Sequence, residues 1–181
     1  MRDDAHVGGA PFNQAQILHL MKTEFGRARR HGYSIACVLL QVDRVQSLVE
    51  IHGPELRDVL RTALGTLVAE KTRDYDHVGL TADDRYLLVL PHTDRAGALP
   101  VAERIARAFG EQEIRVGGHP LKITISCGVA ACEDRDTLFF DTLVSQAEVA
   151  LEWASNAGGN RIESFRRERF VEPSAGDDVS D

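Results

Sequence analysis

Long hydrophobic runs are missing from this sequence. No apolar stretch approaches the roughly 20 residues that a membrane-crossing helix needs, so no membrane span is expected. Positive charge is also in short supply. Twenty-eight acidic residues outnumber 21 lysines and arginines, for a net charge of -7. Nucleic acids and anionic membrane surfaces call for a basic face, so neither is expected as a general partner. Cysteine is scarce: Cys37, Cys127 and Cys132 make an odd set of three without metal-ligand spacing. That excludes a disulfide framework and fits buried thiols in a reducing cytoplasm. The seven histidines are scattered, with no pair at zinc-site spacing. Residues 1–10 lack a basic segment followed by an apolar one and are read as disordered rather than as a signal peptide.

What is present is an ordinary globular mixture, 43% hydrophobic and 27% charged. A helix is expected from the N-cap Asn13 to about His31, with Ile17, Leu18, Met21 and Phe25 on one stripe and Gly32 as its stop. Residues 34–43 form a nearly continuous apolar run, which suits a strand covered on both faces. Residues 44–71 read as helical with a break at Gly53-Pro54. Short strands near Tyr75–Leu80 and Tyr86–Pro91 flank a polar turn and predict a hairpin. An amphipathic helix covers 95–109, weakened by Pro100 or properly beginning there. Strands are expected around Glu113–Val116 and Leu121–Ala131, on either side of a turn at Gly117–Pro120. A last helix spans 139–156 and stops at Gly158-Gly159, before a short strand at 161–165. Residues 166–181 are charged and polar and are expected to be a disordered tail. The alternation implies an α/β (α+β mixed) fold, a central mixed sheet with helices packed on its faces.

That order, with the residues at its joints, resembles the GGDEF (diguanylate cyclase) domain over residues 11–165. The pieces that carry the resemblance are Leu39-Leu-Gln-Val-Asp43, Ile51-His-Gly53 with Asp58, the stretch from Asp76 through Tyr86 to Pro91, Ala102-Glu-Arg-Ile105, Ile123–Ala130 and Ala150–Arg161. The resemblance implies a reaction in which two GTP molecules, each held by one domain of a dimer, are joined into cyclic di-GMP. Phosphoryl transfer of that kind depends on positioning and on charge neutralisation by Mg²⁺ and cationic side chains.

Several positions depart from the family pattern. The signature Gly-Gly-Asp/Glu-Glu-Phe falls on Ala82, Asp83, Asp84, Arg85 and Tyr86. Only Asp84 keeps the chemistry of its position, and Arg85 reverses the sign of an acidic one. Gln41 stands where the resemblance implies the first metal aspartate. Asp43, two residues on and on the same strand face, and Asp84 are the residual metal candidates. Val49 stands for the guanine-reading asparagine, while Asp58 survives. Ser155 and Gly159 stand for the phosphate-binding lysine and arginine. No catalysis, and no cofactor for it, is expected.

A second feature of the family is intact. Relatives bind their product at an Arg-x-x-Asp that ends just before the signature turn, and Arg73-Asp-Tyr-Asp76 stands at that spacing. Arginine's fork suits guanine O6 and N7, and a carboxylate suits guanine N1–H and N2–H. Arg104 matches a further arginine on the next helix. The expected function is a noncatalytic cyclic di-GMP receptor that signals to an unidentified protein partner, as a homodimer if the ligand bridges two domains. The alternatives are a nucleotide-free protein-interaction domain, and a GTP-binding regulator or residual diguanylate cyclase.

Overall fold

A computed structural model describes residues 11–133, 137 and 139–169. In chain order the elements are α1 (Gln14–His31), β1 (Ile35–Val42), α2 (Val45–His52), α3 (Glu55–Lys71), β2 (His77–Leu80), β3 (Tyr86–Pro91), α4 (Arg95–Glu111), β4 (Ile114–Val116), β5 (His119–Leu121), β6 (Ile125–Cys132), α5 (Phe140–Asn156) and β7 (Ile162–Ser164). The main sheet runs β2-β3-β1-β6-β7. Its pairs are antiparallel except β6 with β7. This is a mixed α/β fold with a mostly antiparallel central sheet.

The sheet is covered on both faces because β1 is apolar at every position up to Leu40. Ala36, Val38, Leu40 and Val42 pack with Leu60 and Leu64 of α3 and Ile105 and Phe109 of α4. The alternate residues Ile35, Cys37 and Leu39 pack with Met21 and Phe25 of α1 and Leu143 and Leu151 of α5. Helix α5 lies so close to β6 that any side chain at Gly128 would collide with the backbone of Ala147 and Leu151.

Local chemistry sets the boundaries. Asn13 and Gln16 form a capping box at the start of α1, and Gly32 closes it with φ 73°. Asp94 caps α4 by accepting from the Gly97 amide at 2.8 Å, so the helix starts before Pro100 and carries the proline inside it. A strong cap six residues upstream outweighs the helix-breaking residue. Gly117 and Gly118 have φ 56° and 84°, the pair of positive values that a two-residue hairpin turn needs. The turn is therefore shorter than Gly117–Pro120: His119 and Pro120 already belong to β5. The single strand expected over Leu121–Ala131 is two, β5 and β6, in different sheets.

Two further expectations are corrected. Tyr75 and Asp76 lie in a turn rather than a strand, because the Asp76 carboxylate and the Arg73 carbonyl fold that loop back on itself. Within the tail, Arg167–Arg169 form a 3-10 turn. Arg169 pairs with Glu163 at 3.0 Å and lies over the Trp153 ring at 4.6 Å, which anchors a segment that composition reads as solvated. Residues 1–10 and 170–181, also read as disordered, lie outside the described residues.

Candidate functional site

The hairpin between β2 and β3 closes without glycine. Thr81 N–H donates to the Arg85 carbonyl at 2.9 Å, and the Asp84 amide donates to the Thr81 carbonyl at 3.2 Å. Asp84 takes the left-handed conformation, φ 58°, which aspartate tolerates better than most residues. Neither Ala82 nor Asp83 has positive φ. Two residues after Asp84, Tyr86 is buried, and its hydroxyl donates to the Arg61 carbonyl at 2.9 Å over Gly65, which leaves room for it.

Asp84, Asp58 and Asp43 are already engaged. Asp84 pairs with Arg57 at 3.0 Å and Arg61 at 3.5 Å. Arg61 also pairs with the exposed Asp58. Arg85 donates through Nε to the Gln41 side-chain oxygen at 3.0 Å. Asp43 accepts from Thr124 Oγ1 at 2.6 Å, Ser126 Oγ at 2.7 Å and the Asn160 amide at 2.8 Å. A divalent cation would have to displace arginines from Asp84 and hydroxyls from Asp43. Among the described residues no group of three or more histidine, cysteine or acidic side chains is arranged to hold a metal ion. This donor set does not fit Mg²⁺, which favours free anionic oxygens. Val49 is half-buried on α2, and Ser155 is exposed at the end of α5. Gly159 presses against the Asp43 carboxylate.

The other sequence-predicted residues converge elsewhere, where the loop before β2 meets the start of α4. Arg73 and Asp76 line one cavity of about 290 Å³ together with Tyr33, His92, Asp94 and Val101. Asp76 is 4% exposed. Its Oδ2 accepts from the Arg73 amide at 2.8 Å. Its Oδ1 is buried and has no hydrogen-bond partner among the described residues. An unsatisfied buried carboxylate oxygen is costly and rare. Burial raises the Asp76 carboxyl above the ordinary carboxylate range. The Arg73 amide and the charges of Arg73, His77 and Arg104 pull it back only in part.

The Arg73 guanidinium donates to the Tyr75 hydroxyl at 2.9 Å. Arg104 is exposed on α4 and donates to the Lys71 carbonyl at 2.7 Å. It contributes to the field at Asp76 but does not line the cavity. The structure therefore unites Arg73 with Asp76, and sets Arg104 one step away. It keeps both apart in role from Asp43 and Asp84, which belong to the hairpin side. Sequence reasoning did not single out Tyr33 or His92 as cavity residues, nor Arg57 and Arg61 as partners of Asp84. Only the sequence Pro91-His92-Thr93-Asp94, a polar turn between strand and helix, hinted at the first pair.

A model of the family described as "Diguanylate cyclase, GGDEF domain" matches residues 12–161. Diguanylate cyclase A of Treponema denticola is 23% identical over 87% of this chain and 48% of its own length. The chain thus spans about half that relative. Diguanylate cyclase SiaD of Pseudomonas aeruginosa, solved in complex with its activator SiaC, superposes with a TM-score of 0.79 at 28% identity, covering 90% of this chain and 61% of that one. The GGDEF domain of DgcB from Caulobacter crescentus, solved in complex with c-di-GMP, superposes with a TM-score of 0.80 at 15% identity, covering 91% of this chain and 97% of that one.

Proposed function

The chain belongs to the GGDEF family of diguanylate cyclase domains, and on that premise we propose that it is a noncatalytic receptor for cyclic di-GMP that passes the signal to a protein partner. The observation that carries this reading is the orphaned Oδ1 of Asp76, buried in a cavity that Arg73 also lines. Guanine presents N1–H and N2–H on its Watson–Crick edge, the donors this oxygen needs, and O6 and N7 on its Hoogsteen edge, the acceptors that Arg73 can fork. Binding would satisfy an atom that the free protein leaves unpaired. Arg73 would exchange its single bond to Tyr75 for two to the base.

The loss of catalysis rests on different residues. Arg57 and Arg61 occupy Asp84, Arg85 occupies Gln41, and three donors fill Asp43. Asp84 is neutralised by its two arginines, and Asp43, still anionic, has its oxygens taken by hydrogen-bond donors, which leaves no free anionic pair to assemble a metal. A protein partner would find exposed apolar side chains on α2 and α3, where Ile51 is 73% and Val59 48% exposed.

Titration of the chain with cyclic di-GMP and, separately, with GTP tests the reading. Binding of the dinucleotide without GTP binding is the expected result. Binding of neither would favour a nucleotide-free interaction domain. Binding of GTP with steady production of cyclic di-GMP would restore the enzyme reading.

A further inference from the structure

The cavity that Arg73 and Asp76 line has an aromatic wall that the Arg-x-x-Asp pattern does not include. The rings of Tyr33 and His92 are stacked, with centroids 3.8 Å apart and planes 26° from parallel. Tyr33 is half-buried and held from below, its amide on the Ala28 carbonyl at 3.2 Å and its hydroxyl on Glu24 Oε2 at 3.4 Å. His92 is exposed. It sits in the left-handed region, φ 53°, in a bend fixed by the Thr93 amide on the Ser34 carbonyl at 3.2 Å and by Thr93 Oγ1 on the Pro91 carbonyl at 3.0 Å. A non-glycine residue rarely takes that backbone, and such outliers cluster at binding sites. Here the outlier puts a flat ring on a tyrosine at the mouth of the cavity. His92 also borders a second cavity of about 560 Å³, with Tyr75 and His77 on its wall.

We propose that the Tyr33–His92 pair is a stacking shelf for a purine base of the ligand, so that Arg73 and Asp76 read the base's edge while the shelf holds its face. This rests on the receptor reading above and adds to it the residues that hold the base flat. Edge pairing alone leaves a base free to tilt. An aromatic face beside the hydrogen-bonding groups removes that freedom and adds an attraction that any purine supplies.

Calorimetric titration of the full chain with cyclic di-GMP separates the outcomes, using wild type, Arg73→Ala, His92→Gly and His92→Phe. Glycine suits the left-handed backbone at this exposed position, so His92→Gly removes the ring without straining the fold, and retained thermal unfolding verifies that. Base stacking on one aromatic residue predicts about a 5- to 150-fold loss of affinity in His92→Gly. His92→Phe keeps a stacking face and should bind within about twofold of wild type. Wild-type affinity in His92→Gly, in a protein whose Arg73→Ala variant has lost binding, would overturn the shelf and leave the receptor reading standing. An equal loss in His92→Gly and His92→Phe would also overturn it, by assigning the imidazole a polar contact instead. No binding by the wild type would overturn both.

Discussion

Asp76 has two oxygens with different fates, one bonded to the Arg73 amide and one buried without a partner among the described residues. A folded chain tolerates that only if something offsets the cost. Asp76→Asn tests whether the offset is a ligand. The amide oxygen can keep the bond from the Arg73 amide, and the variant no longer buries a charge, so stability should stay level or rise by up to about 1 kcal/mol. Guanine donors would then meet an NH₂ donor, and cyclic di-GMP affinity should fall at least about tenfold, a cost of 1.4 kcal/mol or more. The pH dependence has a definite sign. Because burial raises the Asp76 carboxyl in the folded state, the native protein holds a proton that the unfolded chain has released. The stability contributed by this group is complete below the ordinary carboxylate value and is lost as pH rises through the raised one. Urea unfolding across that window should show a downward slope in the wild type that is reduced in Asp76→Asn. Arg73→Ala removes a forked contact worth about 1–3 kcal/mol, or about 5- to 150-fold in affinity. Asp84→Ala, on the hairpin side, should leave ligand affinity unchanged. The reverse pattern in calorimetry would move the ligand to the hairpin.

At the scale of elements, the site depends on how closely helices approach the sheet. Cavity residues come from the loop between α1 and β1, the end of β3, the start of α4 and the loop before β2, so small shifts of α4 would move Val101 against Asp76. The opposite face is held by the contact of α5 with β6 at Gly128, where a methyl group would strike the backbone of Ala147 and Leu151. Backbone cannot rotate away as a side chain can. Gly128→Ala should therefore destabilise by about 1–3 kcal/mol through overpacking, a drop of roughly 2–12 °C in Tm at about 2–4 °C per kcal/mol. Differential scanning calorimetry gives the value. An unchanged Tm would mean that α5 shifts freely on β6. Cysteine chemistry adds little at this scale. Cys37 and Cys127 are fully buried, and burial pushes the Cys37 thiol up to about 12 and raises Cys127 as well, so neither offers a thiolate near neutral pH.

For the molecule as a whole, the two candidate sites differ in how their acidic groups are paired. On the hairpin side Asp84 is paired with Arg57 and Arg61, while the side around Arg73 has a cavity and an acceptor unpaired among the described residues. Incubation with GTP and either Mg²⁺ or Mn²⁺ should give no cyclic di-GMP by chromatography, and enzyme-dependent accumulation would contradict the receptor reading. A ligand that binds only the folded state stabilises it by mass action. At a hundredfold excess over Kd the gain is about 2.7 kcal/mol, which for a chain of this size is a rise of roughly 5–11 °C in Tm. GTP at the same concentration should leave the midpoint in place.

Periodicity and end signals in the sequence were enough to specify most elements. Asn13 and Gly32 bracket α1, the apolar run of β1 demands cover on both faces, and Gly53-Pro54 divides α2 from α3. These are local effects, in which a cap or a period of two or 3.6 acts within a few residues. The spacing of Arg73 and Asp76 before the β2–β3 hairpin was legible for the same reason. Three things depended on distant contacts. Pro100 lies inside α4 because the Asp94 cap and the buried face formed by Val101 and Ile105 outweigh its missing amide. Arg57 and Arg61 meet Asp84 only because α3 packs beside the β2–β3 hairpin, 27 and 23 positions away in sequence. The stack of Tyr33 on His92 and the unpaired oxygen of Asp76 arise where three separate loops meet. No local pattern encodes such a meeting, since burial and the loss of a partner are properties of the packed chain and not of any segment of it.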